Sequence, residues 1–102
     1  MNAELYVKKA SLQISKGKIE KAVGSMIKAI EIGDDLISIT QAYCFLGEYY
    51  FINQDYILSK EHLEWISERQ EELEIKYDDL LNDEIDKVNA LLNIMEIFSL
   101  IE

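Results

Sequence analysis

Apolar residues recur at steps of three and four along almost the whole chain, and no proline interrupts this spacing. Such spacing places apolar side chains on one face of an α-helix, whereas a half-buried strand would alternate apolar and polar residues. Glu, Lys, Leu and Ile are abundant, and they lose little side-chain freedom in a helix. We therefore predict an all-α fold in which residues 1–102 form a single domain.

Turn signals divide the chain into five predicted helices. Gly17 lies in a short turn after the first helix, and Gly33 is placed to end the second helix in the left-handed conformation. Asp55 is suited to cap the fourth helix, and the last helix begins near Asn82. Because no strong stop signal precedes Asn82, residues 55–81 are compatible with one long helix or with two.

The last predicted helix has an apolar face and a charged face. Its apolar face is expected to comprise Ile85, Val88, Leu92, Met95 and Phe98. This arrangement predicts a helix that packs on the rest of the chain through one side and faces water with the other.

The chain also resembles itself at an offset of 37 residues, which is the separation of Tyr43 from Tyr6. At this offset small residues align with small ones and bulky residues with bulky ones, including the pairs Ala22 with Ser59 and Met26 with Leu63. Two helical hairpins in tandem are the direct interpretation of such a repeat, since each hairpin needs a neighbour to cover its apolar face.

The segment Tyr43-Cys44-Phe45-Leu46-Gly47-Glu48-Tyr49-Tyr50 resembles the first-helix pattern of the tetratricopeptide repeat family, W-x2-L-G-x2-Y. Leu46, Gly47 and Tyr50 match the pattern, Tyr43 stands in place of the tryptophan, and the closing proline is missing. The resemblance covers roughly residues 3–70. It implies two antiparallel hairpins, 3–33 and 35–77, stacked in a right-handed superhelix and closed by a C-terminal capping helix over 82–101.

In this family the first helix of each repeat lines a concave groove, and the resemblance implies a groove here as well. The partner-binding residues that it implies are Val7, Ser11, Ile14, Gln41, Cys44, Glu48, Phe51 and Ile52. An apolar groove with few charges suits a peptide or a helix of another protein. The alternative for the aromatic residues around Phe51 is that they pack in the core. The predicted function is a non-catalytic protein–protein interaction module.

The charge is distributed unevenly along the chain. Residues 1–60 contain seven acidic and seven basic residues, whereas residues 61–102 contain thirteen acidic and three basic ones. An acidic surface disfavours nucleic acid and anionic lipid, because binding to either depends on cationic side chains. The predicted partner is another protein, and a basic or amphipathic segment would suit the acidic part. The alternative is an ordinary solvated surface.

The residues that could carry chemistry do not form a catalytic or metal-binding pattern. His62 is flanked by Glu61 and Glu64, which would repel a phosphoryl group, and Cys44 lies in an apolar aromatic segment without an adjacent base. The acidic residues between Asp78 and Asp86 lack the spacing of a calcium loop. We therefore predict neither catalytic residues nor a metal or cofactor.

Other features of the sequence concern localisation and assembly. A single cysteine, no signal-peptide pattern and no apolar run of about 20 residues predict a cytoplasmic protein without a membrane span. An array of two and a half repeats is short, since about three are needed for stability. The alternative function is therefore a self-associating subunit, either a homodimer or part of a larger complex.

Overall fold

The computed structural model describes residues 1–101, which form helices joined by short connections with no strand among them. The all-α prediction is therefore confirmed. In chain order the elements are α1 (Ala3–Ser15), α2 (Ile19–Ile32), α3 (Leu36–Ile52), α4 (Tyr56–Ser67), α5 (Gln70–Tyr77), a 3₁₀ turn (Asp78–Leu81) and α6 (Asn82–Ile97).

The packing divides the chain into two compact units, Met1–Tyr43 and Cys44–Glu102. The division falls within helix α3. Unit 1 contains α1, α2 and the first half of α3, and unit 2 contains the second half of α3 and all later elements. Each unit has packing of its own, and the single domain over residues 1–102 stays a prediction from the sequence.

In unit 1, helices α1 and α2 pack together around small residues. Ala10 of α1 and Ala22 and Ala29 of α2 are fully buried, and small side chains of this kind allow close packing. One polar pair joins the two helices, because the Ser25 hydroxyl donates a 2.7 Å hydrogen bond to Gln13 Oε1. The short connection and this packing give the first hairpin.

The ends of the helices in unit 1 follow local sequence rules. The Asn2 side chain accepts a hydrogen bond from the Leu5 amide, which caps α1. Gly33 follows α2 with φ of 61°, the left-handed conformation predicted for it. The Ala3 amide donates to Asp34 Oδ1 at 2.9 Å, so the start of α1 is tied to the loop after α2.

In unit 2, helix α4 crosses the second half of α3 at Gly47. The Ser59 hydroxyl donates a buried hydrogen bond of 2.7 Å to the Gly47 carbonyl oxygen. The Leu63 side chain fills the space beside Gly47, where an added Cβ would lie 2.7 Å from Leu63 Cγ. The two helices therefore approach each other closely at Gly47.

The long segment after Asp55 is divided by Arg69. The Arg69 Nη1 atom donates a 2.9 Å hydrogen bond to the Trp65 carbonyl oxygen, and its guanidinium lies 4.3 Å from the centre of the Trp65 ring. The Arg69 amide instead donates to the Ile66 carbonyl oxygen, three residues back. The α-helical ladder is thus interrupted, so α4 and α5 are separate helices.

Helix α6 packs through Ile85, Val88 and Met95, which are buried as predicted. Phe98 does not share this environment, because it exposes 68% of its surface. Among the described residues, no helix combines the length and the apolar character required to cross a bilayer.

Candidate protein-binding surface

The second half of α3 is covered by α6 along one side. The Cys44 thiol points to the Glu84 carbonyl oxygen at 3.9 Å, and one turn further along α3 the Glu48 carboxylate forms a 3.1 Å ion pair with Lys87. Two residues separated by one turn on α3 thus meet two residues separated by one turn on α6. This part of the predicted groove is occupied by the chain's own last helix.

The residues predicted to bind a partner are divided between the two units. In unit 1, Val7, Ile14 and Gln41 are half-buried, while Ser11 is exposed and donates a 3.2 Å hydrogen bond to the Val7 carbonyl oxygen. This bond lies within one helical turn of α1, so it leaves the hydroxyl at the surface.

The predicted residues in unit 2 are in three different environments. Cys44 is buried, Glu48 and Phe51 are half-buried, and Ile52 exposes 71% of its surface. The structure brings Cys44 and Glu48 together under α6, while Phe51 packs edge-to-face on Tyr56 with ring centres 5.5 Å apart. Ile52 is therefore the predicted residue of unit 2 that is most accessible to a partner.

The aromatic residues near the end of α3 form a half-buried layer. Tyr49 and Tyr50 pack edge-to-face at 5.5 Å, and the Tyr50 ring lies 5.1 Å from that of His62. The His62 Nδ1 atom donates a 2.7 Å hydrogen bond to the Leu58 carbonyl oxygen. These rings are neither in the fully buried core nor fully open to solvent.

Burial raises the pKa of two groups where α3 and α6 meet. Burial removes the Cys44 thiol from water and is the largest cause of its raised pKa, about 11. The nearby Lys87 ammonium lowers this pKa in part. The thiol is therefore protonated at neutral pH and is a poor nucleophile. Burial is also the largest cause of the raised pKa of Glu84, and the neighbouring Asp83 carboxylate adds to it.

The ion pair between Glu48 and Lys87 gives a pH-dependent prediction. The hydrogen bond that the Lys87 ammonium donates to the Glu48 carboxylate is the largest cause of the raised pKa of Lys87. A raised lysine pKa stabilises the fold below the unfolded value of about 10.4, and this contribution is lost as the pH rises through the folded pKa. We expect Glu48→Gln to lower the free energy of unfolding by about 0.5 kcal/mol at pH 7, since both side chains are more than a third exposed.

Urea unfolding of wild type and Glu48→Gln at neutral and strongly alkaline pH measures this difference. The difference between the two proteins should shrink once Lys87 loses its proton. Glu31→Gln is a matched control, because Glu31 pairs with Lys28 on a more exposed surface and its loss should have a smaller effect. An effect of Glu48→Gln that is equally large at both pH values would contradict the assigned role of Lys87.

A second surface of α6 was not predicted from the sequence. Four side chains on its outward side, here named the α6 stripe, are apolar and accessible: Ala90, Ile94, Ile97 and Phe98. Ile94, Ile97 and Phe98 expose 37%, 64% and 68% of their surfaces. At about 3.6 residues per turn, the four positions lie within an arc of about 100°.

A sequence signal for the α6 stripe exists. Six of the eight residues from Leu91 to Phe98 are apolar, which is more than one face of a helix can bury. When Leu92 and Met95 face inward, Ile94, Ile97 and Phe98 must face outward. The prediction of a charged outer face holds only for the first half of the helix, where Asp83, Asp86 and Lys87 are exposed.

The part of the chain that the structure describes contains no group of three or more His, Cys, Asp or Glu side chains arranged to hold a metal ion. A scan against protein-family models, a search of curated proteins and a search of solved structures each find no match to this chain. The resemblance to the tetratricopeptide repeat family therefore stays a prediction from the sequence.

Proposed function

We propose that this chain is a non-catalytic module that binds another protein through an apolar helical surface. The observation that carries the proposal is the α6 stripe. Single exposed apolar residues are normal on a protein surface, but a contiguous group that includes a phenylalanine and two isoleucines is typical of an interaction site.

The spacing of the α6 stripe favours a helical partner. Its members stand at positions i, i+4, i+7 and i+8, which is how one helix presents anchors to another. Such a row of side chains fits between the rows of a second helix, and it offers no backbone edge to an extended strand. The proposal therefore names a helix, and not an extended peptide, as the bound segment.

The proposal differs from the groove hypothesis in where the partner binds on unit 2. Since α6 covers Cys44 and pairs with Glu48, those two residues stabilise the chain itself. The partner instead binds the outward side of α6, and Ile52 at the end of α3 remains a candidate contact. A protein-binding role also agrees with the function that the tetratricopeptide resemblance implies.

Site-specific photo-crosslinking tests the proposal. A benzophenone side chain replaces Phe98 in the full-length protein, and the same group replaces Ile75 as a matched control, because Ile75 exposes 79% of its surface on α5. We expect discrete protein adducts from position 98, with purified protein or in lysate of the source cells, and none of comparable yield from position 75. Equal, diffuse labelling from both positions would contradict the proposed function.

A further inference from the structure

We infer that the partner of the α6 stripe is the α6 stripe of a second copy, which pairs with it in an antiparallel homodimer. This inference rests on the proposed function and names the partner of the same surface. Three properties of the stripe support it: the order of its side-chain sizes, its lack of charge and the way in which the helix ends.

The order of side-chain sizes makes the stripe complementary to itself. Ala90, Ile94 and Phe98 form one row along the helix at steps of four residues, with a small, a medium and a large side chain in that order. A two-fold axis through Ile94 places Phe98 of each copy opposite Ala90 of the other. The large side chain then fills the space that the small one leaves, as required where rows of two helices interdigitate.

The charges around the stripe permit two copies to meet there. Residues 61–86 carry eleven acidic and two basic residues, so this part of unit 2 would repel the same part of a second copy. The four residues of the stripe are uncharged, and between Asn89 and Ile101 the only charged residue is Glu96. Glu96 is about 150° from the middle of the stripe around the helix, because each residue turns by about 100°.

The end of α6 keeps Phe98 in line with the helix. The Phe98 amide donates a 3.0 Å hydrogen bond to the Ile94 carbonyl oxygen, so Phe98 lies one helical turn after Ile94. The chain then turns at Ser99, which has φ of 50°, and the Leu100 amide donates to the Met95 carbonyl oxygen at 3.0 Å. This arrangement ends the helix directly after the stripe.

The size of the surface sets the expected strength of the dimer. Four side chains on two helical turns make a smaller interface than the ~800 Å² per partner of a typical stable complex. The homodimer is therefore expected to be weak and to exchange with monomer. Covalent trapping is the appropriate test, because it records a weak complex that dilution would dissociate.

The first experiment uses Ile94→Cys in the full-length chain under mild oxidation. Cys44 is buried and does not compete for the oxidant. At the two-fold axis the introduced thiols face each other, and helices packed about 8–10 Å apart bring the two Cα atoms within disulfide range. We expect Ile94→Cys to form covalent dimer about tenfold faster than Ile75→Cys, although Ile75 exposes 79% of its surface and Ile94 only 37%. Ile75→Cys reports random collision at the more accessible position.

A second experiment tests the antiparallel register. In that register, two copies of residue 90 are about 12 Å apart along the axis, as are two copies of residue 98, at about 1.5 Å of rise per residue. Ala90→Cys and Phe98→Cys should therefore each form little homodimer when oxidised alone. A mixture of the two variants should form the mixed disulfide several times faster than either forms its own.

The outcomes separate the inference from the proposed function. The homodimer is supported if Ile94→Cys forms its disulfide faster than Ile75→Cys, and if Ala90→Cys and Phe98→Cys form the mixed disulfide in preference to their own. Equal rates of disulfide formation by Ile94→Cys and Ile75→Cys overturn the inference. It is also overturned if Ala90→Cys alone forms as much disulfide-linked homodimer as the mixed disulfide that it forms with Phe98→Cys. If trapping fails while the probe at Phe98 captures a different protein, the binding module stands and the second copy is not its partner. If both experiments fail, both proposals fall.

Discussion

Replacing Gly47 with alanine is expected to lower the free energy of unfolding, although alanine is the better helix former by about 1 kcal/mol. The new Cβ would lie 2.7 Å from Leu63 Cγ, and Leu63 is fully buried, so its side chain cannot turn away into solvent. Overpacking of this kind costs about 1–3 kcal/mol. The loss of unfolding free energy is expected to be larger still if the hydrogen bond from the Ser59 hydroxyl to the Gly47 carbonyl oxygen also lengthens.

A double-mutant cycle with Leu63→Ala identifies the cause. Leu63→Ala alone should destabilise the chain by about 2–5 kcal/mol, because it leaves a cavity. In that background Gly47→Ala no longer meets the leucine side chain, and the substitution should become stabilising by up to about 1 kcal/mol. Urea unfolding followed by helical circular dichroism measures all four proteins.

Gly24 provides the control for this cycle. It lies inside α2, is exposed, and an added Cβ would meet nothing within 4 Å. Gly24→Ala should therefore stabilise the chain by about 0.5–1 kcal/mol. If Gly47→Ala and Gly24→Ala shift the unfolding transition in the same direction, the close approach of α3 and α4 at Gly47 is wrong.

The second large effect is expected in unit 1, where Ala22→Leu should lower the free energy of unfolding by about 1–3 kcal/mol. Ala22 is fully buried in α2, in a hairpin whose core is lined by alanines. Three additional heavy atoms have no space there unless the backbone moves. The melting temperature and the urea midpoint of the full-length protein should both fall.

Lys21→Leu is the matched control for Ala22→Leu, because it introduces the same side chain at the adjacent exposed position of α2. A surface substitution of this kind should change the stability by no more than about 0.5 kcal/mol. Equal effects of the two leucines would show that the interior of unit 1 has room for larger side chains, contrary to the structure.

The features that could be predicted from the sequence are local ones. Gly33 ends α2 through its own conformational freedom, and Asp55 caps α4 by accepting a hydrogen bond from the Leu58 amide three residues later. The all-α fold and the buried face of α6 follow from apolar spacing. Each of these depends on residues within a few positions of one another, so a single sequence contains the necessary information.

The features that could not be predicted depend on contacts between distant residues. The break at Arg69 requires its side chain to compete with its own amide for nearby carbonyl oxygens, which residue spacing does not reveal. The coverage of Cys44 and Glu48 by α6 joins residues about 40 positions apart, and no local pattern specifies it. The groove residues were derived from a resemblance, which contains no information about where the last helix lies.

The location of Trp65 in unit 2, beneath the Arg69 side chain, has a practical consequence for spectroscopy. Trp65 is the only tryptophan in the chain, and it lies in unit 2 at the break between two helices. Tryptophan fluorescence therefore reports on unit 2, whereas far-ultraviolet circular dichroism reports on the helices of both units. If the two signals show the same unfolding transition, units 1 and 2 unfold together in one cooperative step. If the transitions differ, the two signals give separate unfolding curves for the two units.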